Sequence, residues 1–395
     1  MNINKLAEDM QAQVVKWRRD LHQIPELDHD LPETSKYVQE RLTEMSIPFV
    51  AMKNGSGILA TITGGNAGKT IALRADMDAL PIAEEAPVCF KSVNGNMHAC
   101  GHDAHTAMLL GAAKVLSDHK ARLKGTVKLI FQDGEENVGG AKLMIAEGCL
   151  NGVDAIFGQH IGCLFDDISE SGKIIVSHGN AMASRDKFKI TIIGRGGHSA
   201  FPESSIDPIS IAAQVINGIY MIKARECSAL SPSVVSVCSI HGGTAHNIIP
   251  ETLELEGSTR SVEPETRAMI ASRIEQVVKG VCDAFGATYK YDYVFDYGIT
   301  ANNPEMADLV INAAKDLGLG SDVILQRSSL MGSEDMSLYL DNVPGAYYFL
   351  SSVVRQGDQV YGHHHAKFML DESVFSKGVA LFLQITANYL GCQYD

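Results

Sequence analysis

Apolar side chains at Leu6, Met10, Val14, Val15, Trp17 and Leu21 fall at helical spacing and predict an amphipathic helix over residues 6 to 21. A second helix is expected from Glu33 to Met45. The short apolar runs at residues 57–62 and 70–76 are bounded by glycine or polar turns and fit core strands. Residues 106–116 are rich in alanine and leucine and read as a helix that follows directly on a cluster of histidine and cysteine. Residues 125–132 then read as a buried strand. Strands alternating with helices imply an α/β domain, in which ligands gather beyond the carboxyl ends of the strands.

From Arg185 the rhythm changes. The pattern gives strand (186–193), helix (207–223), strand (233–240), strand (252–260), helix (264–285) and strand (288–295). This split βαβ order predicts a ferredoxin-like α+β domain, a four-stranded antiparallel sheet carrying two helices, inserted into the first. After Asn302-Asn303-Pro304 the earlier alternation resumes. The expected organisation is a catalytic domain of residues 1–183 and 296–395, a mixed sheet flanked by helices, with an inserted lid and dimerisation domain at 184–295. No internal repeat or low-complexity tract is found.

Length and composition agree with a two-domain enzyme: 395 residues, 45% hydrophobic and 20% charged. The formal charge of −14 argues against a nucleic-acid or anionic-membrane partner, because phosphate surfaces select basic faces. No apolar run approaches the roughly 20 residues needed to span a bilayer, and the first residues lack the apolar stretch of a secretion signal. A cytoplasmic location is expected. Eight cysteines lie scattered from Cys89 to Cys392 without disulfide-framework spacing, so most read as reduced core thiols.

Chemistry concentrates in two short segments, Met97-His98-Ala99-Cys100-Gly101-His102-Asp103-Ala104-His105 and Gln132-Asp133-Gly134-Glu135-Glu136. Cys100 and His102, one residue apart, can face the same side of an extended segment or loop. Thiolate and imidazole are common donors to zinc and its neighbours. Alone the pair would be an ordinary loop, but His98, Asp103 and His105 around it favour a metal site, with Asp103 available to orient a ligand histidine. A Glu-Glu pair on a solvated helix face is commonplace. Here it follows a buried strand, and the two carboxylates divide the work: Glu135 as general base and Glu136 as metal ligand. His160 ends another apolar run, and the triplet His363-His364-His365 supplies one further donor. In the inserted domain, His198 and Asn247 stand in glycine-rich turns and can donate to a developing oxyanion. Arg260, at a strand end, can pair with a substrate carboxylate through its planar fork.

Taken together, Leu21 to Leu27, Arg74 to Pro81, Met97 to His105, Gln132 to Glu136, Gly196 to Pro202, Gly242 to Pro250, Met331 to Asp335 and His364 to Phe368 resemble the aminoacylase-like metallopeptidase family. The branch is that of hippurate hydrolases, N-acetyl-diaminopimelate deacetylases and plant indoleacetyl-amino-acid hydrolases. The motifs run in family order over nearly the whole chain. The resemblance implies a two-metal site with Cys100 bridging and His102, Glu136, His160 and His364 as the other ligands. His364 is preferred over His363 because the branch places its ligand four residues before the aromatic matching Phe368. It also implies a homodimer in which the histidine matching His198 reaches the partner's site.

The two divalent ions are zinc or manganese ahead of cobalt or nickel. The expected reaction is hydrolysis of a small-molecule N-acyl-amino acid to a carboxylic acid and a free amino acid. A dipeptidase with the same machinery and a non-catalytic metal- or ligand-binding protein are the alternatives. One departure stands out: Asp133-Gly134 replaces the branch's Pro-Ala before the paired glutamates. If Asp133 points inward, like-charge repulsion raises the pKa of the base.

Overall fold

The computed structural model describes residues 2–392. The chain divides into two compact units, one built from residues up to Ala181, Ala301–Ser328 and Asp335 onward, the other from Met182–Thr300 and Ser329–Glu334.

In the first unit helix α1 (Ile3–His22) opens on the Asn2 side chain, which accepts from Asn4 N, and buries Leu6, Val14, Trp17 and Leu21. Helix α2 (Pro32–Glu44) has proline in its first turn and no side-chain cap from its own N-cap residue. The Glu26 carboxylate does that job, accepting from Glu33 N at 3.1 Å and Thr34 N at 2.9 Å. Strands β1 (Phe49–Ala51), β2 (Ile58–Thr63), β3 (Asn66–Asp76), β4 (Lys124–Gln132) and β5 (Ala155–Gly162) join Gly345–Ser351, Ile174–Val176 and Val323–Leu325 in one eight-stranded sheet. Its order is β1-β2-β4-β3-β5, then 345–351, 174–176 and 323–325. β4, β3, β5 and 345–351 run parallel, while β2 is antiparallel to β4 and 174–176 to 345–351. The sheet is therefore mixed. Every residue of β5 and of Gly345–Ser351 is buried, as expected of central parallel strands.

Helix α3 (His102–Asp118) packs against α1 and the last helix, Phe375–Leu390. It starts four residues earlier than the hydrophobic pattern suggests. Gly101, at φ +89°, takes the left-handed conformation that turns the chain into the helix, so His102 and Asp103 belong to its first turn rather than to a loop. The catalytic-looking residues thus sit at a helix start as well as at strand ends.

The second unit has an antiparallel sheet in the order 233–242, 252–261, 185–193, 288–297. Helices Pro208–Arg225 and Pro264–Phe285 pack on it, and Phe188, Ile190, Ile192, Leu253 and Leu255 meet Ile211, Val215, Ile274 and Val278 in a core separate from the first. A bulge between Val237 and Ser239 interrupts the edge strand. The observed elements lie within two residues of those the sequence pattern outlines.

Candidate metal centre

The parallel strands β3, β4 and β5 end side by side, and the residues just beyond them converge with the first turn of α3. The donor atoms of Cys100, His102 and Glu136 lie within 4.8 Å of one another, and so do those of Cys100, His160 and His363. Cys100 belongs to both groups: its Sγ is 3.5 Å from His160 Nε2. His364 Nε2 is 3.5 Å from Glu136 Oε2, and His102 Nε2 is 3.8 Å from Glu136 Oε1. All five ligand candidates therefore fall into one cluster, and His363 joins it beside them. His365 stands apart, its ring tilted against Tyr361 and its Nδ1 accepting from Lys367 N.

A cation fits this donor set. His102 Nδ1 lies 2.9 Å from the Asp78 carbonyl, which can only accept, so that nitrogen carries the hydrogen. Nε2, buried and without a hydrogen-bond partner, would present its lone pair to a cation held with Cys100 and Glu136 once the ring is neutral. Burial disfavours charge on His102, yet the Asp76 carboxylate prevails and raises its pKa well above the ordinary value. Burial, reinforced by Glu136, likewise holds the Cys100 thiol well up, and burial raises Glu136 to about 7 against the pull of His102. Thiol, carboxyl and imidazole all ask for a positive charge at their centre, and a divalent ion would supply it.

Glu135 follows Gly134, whose φ of +63° turns the chain after β4. Its Oε1 accepts the backbone N–H of Asp335 at 3.2 Å. Asp335 is in turn fixed by Arg74, which is fully buried: Nη2 donates to Asp335 Oδ1 at 2.8 Å, Nη1 to Asp76 Oδ2 at 2.6 Å and Nε to Gln132 Oε1 at 3.0 Å. Asp76 Oδ1 also takes the hydrogen of His105 Nδ1 at 2.6 Å, while His105 Nε2 accepts from Ile161 N at 2.8 Å. Both nitrogens of His105 are thus engaged, which makes it an orienting group beside His160. Asp78 holds two ligand candidates, His102 through its carbonyl and Glu136 N through Oδ2 at 3.0 Å. Arg74, Asp76, Asp78 and Asp335 carry this scaffold. Their sequence signal is an arginine and two aspartates placed two apart at a buried strand end.

Asp133 is buried and engaged by partners away from the ligand cluster's own sequence segments. Its carboxylate accepts from Ser56 N and meets His29 Nδ1 at 3.2 Å, so it ties two loops to the end of β4.

In the second unit His198 and Asn247 come together on a short ribbon, where Gly197–His198 pairs with Ile248–Ile249 and Ser199 N donates to the Asn247 carbonyl at 3.1 Å. Both line one open cavity. His198 Nδ1 accepts from Ala200 N at 3.0 Å, which places the ring hydrogen on Nε2 as a donor. Arg260 is half-buried, with Nη1 donating to Ser333 Oγ at 2.6 Å.

The profile of Peptidase family M20/M25/M40 matches residues 72–388. Thermostable carboxypeptidase 2 of Saccharolobus solfataricus is 40% identical over 387 residues, covering 95% of this chain and 96% of that protein. The N-acyl-L-amino acid amidohydrolase of Geobacillus stearothermophilus is 40% identical, covering 75% of this chain and 79% of its own. A Bacillus subtilis protein whose crystal structure is described as a dinuclear metal-binding peptidase of the M20 family superposes with a TM-score of 0.83 at 33% identity. That match covers 98% of this chain and 100% of the other. With the family profile spanning most of its length and hydrolases among its relatives, the chain belongs to Peptidase family M20/M25/M40, as a hydrolase of the amidohydrolase branch.

Proposed function

We propose that the protein hydrolyses the amide bond of N-acyl-amino acids, releasing a carboxylic acid and a free amino acid, at a two-metal site. The observation that supports this reading best is the meeting of Cys100, His102 and Glu136 around the bare Nε2 of His102, with Glu135 alongside and held by Asp335 N–H. The ligands in this reading are Cys100, shared between the ions, with His102, Glu136, His160 and His364. Zinc or manganese, ahead of cobalt or nickel, would polarise the scissile carbonyl and acidify the attacking water. Glu135 removes the proton from that water and passes it to the leaving amine, so that the amine departs neutral. The Asp335 N–H fixes one oxygen of Glu135.

In the same reading His198 Nε2–H and the Asn247 amide stabilise the oxyanion, and the fork of Arg260 takes the amino-acid carboxylate. Residues 184–295 form a lid and dimer contact on a catalytic domain of 1–183 and 296–395, and closure of that lid gates turnover. The protein acts as a homodimer in the cytoplasm, a setting that suits cysteines left as free thiols.

The test is a panel of acetyl- and benzoyl-amino acids and dipeptides offered to chelated enzyme with each metal restored. N-acyl-amino acids should turn over and chelated enzyme should not. Glu135→Gln should keep metal and lose on the order of 10²- to 10⁴-fold in kcat, the usual worth of a positioned acid–base group. Unchanged turnover after that substitution would reject the mechanism, and preference for dipeptides would move the substrate class toward that of a peptidase.

A further inference from the structure

The segment Leu21-His22-Gln23-Ile24-Pro25-Glu26 has no part in the chemistry above, although Glu26 caps α2. Its histidine occupies an unusual place. His22 closes α1 and is 2% exposed, yet each of its ring nitrogens faces a carboxylate: Nδ1 lies 2.6 Å from Asp103 Oδ2 and Nε2 lies 3.0 Å from Glu84 Oε1. Asp103 Oδ2 accepts a second time, from Arg18 Nε at 2.8 Å, while its Oδ1 takes Ala104 N at 2.9 Å. Glu84 is anchored by Ser92 N at 2.6 Å, and Arg18 by Glu372 at 3.2 Å. A carboxylate held by Arg18, His22 and the α3 backbone has almost no freedom, and Asp103 is the residue that follows His102. The other neighbour of His102, Gly101, is a left-handed turn that imposes no side-chain restraint.

We propose that His22 is a positioning residue for the metal centre. Clamped between Glu84 and Asp103, it locks the first turn of α3 and so fixes the direction in which His102 Nε2 and Cys100 Sγ are presented. The clamp joins three segments distant in sequence, α1, the loop at 84–92 and the start of α3. Its effect falls on metal affinity and metal-site geometry, where partners of ligand groups are typically worth 10- to 100-fold. This inference rests on the metal-site reading given under the proposed function.

Zn²⁺ affinity of the full chain, measured by competition with a chromophoric chelator, tests it together with the visible spectrum of the Co²⁺-loaded protein. His22→Gln and Glu84→Gln should each weaken Zn²⁺ binding by 10- to 100-fold and alter the Co²⁺ ligand-field bands, with the metal-free protein still folded by circular dichroism. Combining His22→Gln with Asp103→Asn should weaken binding no further than Asp103→Asn alone, because both act through one restraint. Wild-type Zn²⁺ affinity and an unchanged Co²⁺ spectrum in His22→Gln would overturn the proposal, leaving the cluster as a core ion network only. Should His22→Gln fail to fold, Glu84→Gln carries the same two outcomes. If the wild-type chain takes up no Zn²⁺ or Co²⁺, the metal-site reading itself fails, a result distinct from either.

Discussion

Single residues decide where the reactive groups point, and Gly134 is the sharpest case. Its φ is +63°, and a Cβ there would lie 2.6 Å from Val138 and 2.9 Å from His29. Gly134→Ala should therefore cost about 1–2 kcal/mol for the left-handed backbone alone. By shifting Glu135 it should also lower kcat on the order of 10- to 100-fold. Urea unfolding read beside steady-state kinetics separates the two effects, and a variant with wild-type values in both would contradict this account. The histidine triplet shows what the sequence leaves open at this scale. His364 has φ +63°, so the backbone reverses between His363 and His365 and the three rings part company. His363 turns inward, where its Nε2 accepts from Cys163 N at 3.2 Å, while His364 faces Glu136 and His365 faces Tyr361. Residue spacing alone cannot foresee a left-handed turn at a non-glycine position. Cys100, His102 and the glutamate pair were legible because each lies within a few residues of a recognisable strand or helix. The pairing of Arg74 with Asp335, far apart in the sequence, was not.

Elements pack closely where small residues let them, and two helix glycines predict opposite outcomes. On α3, a Cβ at Gly111 would sit 2.7 Å from Val14 of α1 and 3.0 Å from Val379 of the last helix. On Pro264–Phe285, a Cβ at Gly280 meets nothing within 4 Å. Alanine gains about 1 kcal/mol over glycine in a helix interior, whereas overpacking costs about 1–3 kcal/mol. Gly280→Ala should stabilise and Gly111→Ala should destabilise, each by about 1 kcal/mol in denaturant melts; equal shifts would contradict the packing described for α3. A third contact responds to pH. Asp322, just before the strand Val323–Leu325, bonds Lys377 at 2.8 Å and Lys173 at 3.3 Å, and Lys377 foremost holds its pKa below the usual 3.8. Its contribution, under about 1 kcal/mol for a partly exposed pair, is complete above pH 3.8 and fades as pH falls through the lowered value. Asp322→Asn should therefore melt lower than wild type near neutral pH and alike in strong acid. The strands at 57–62, 70–76 and 125–132 were legible from their apolar runs. The three-residue strands at 174–176 and 323–325 were not, because so short a run carries no period.

At the scale of the molecule, the two units each bury their own apolar core, and the candidate metal donors belong to the first. A ligand stabilises the unit that binds it by RT ln(1 + [L]/Kd), about 2.7 kcal/mol at a hundredfold excess over Kd. Calorimetry with and without chelator should show the transition of the first unit moving down and that of the second holding still; equal movement of both would place metal elsewhere. The large mixed sheet was legible from the alternation of strands and helices, but the neighbour of β5 was not. That neighbour is Gly345–Ser351, with Ser351 opposite Gly162, and nothing local in the chain announces so remote a pairing. Its remoteness sets a schedule for biosynthesis. During translation the edge of β5 emerges about 190 residues before the strand that covers it, so at roughly 5–20 residues per second an open, mainly apolar strand edge waits bare for about 10–40 s on the ribosome. An open edge of that kind recruits other chains, which makes the nascent polypeptide, more than the finished enzyme, the species that depends on chaperones.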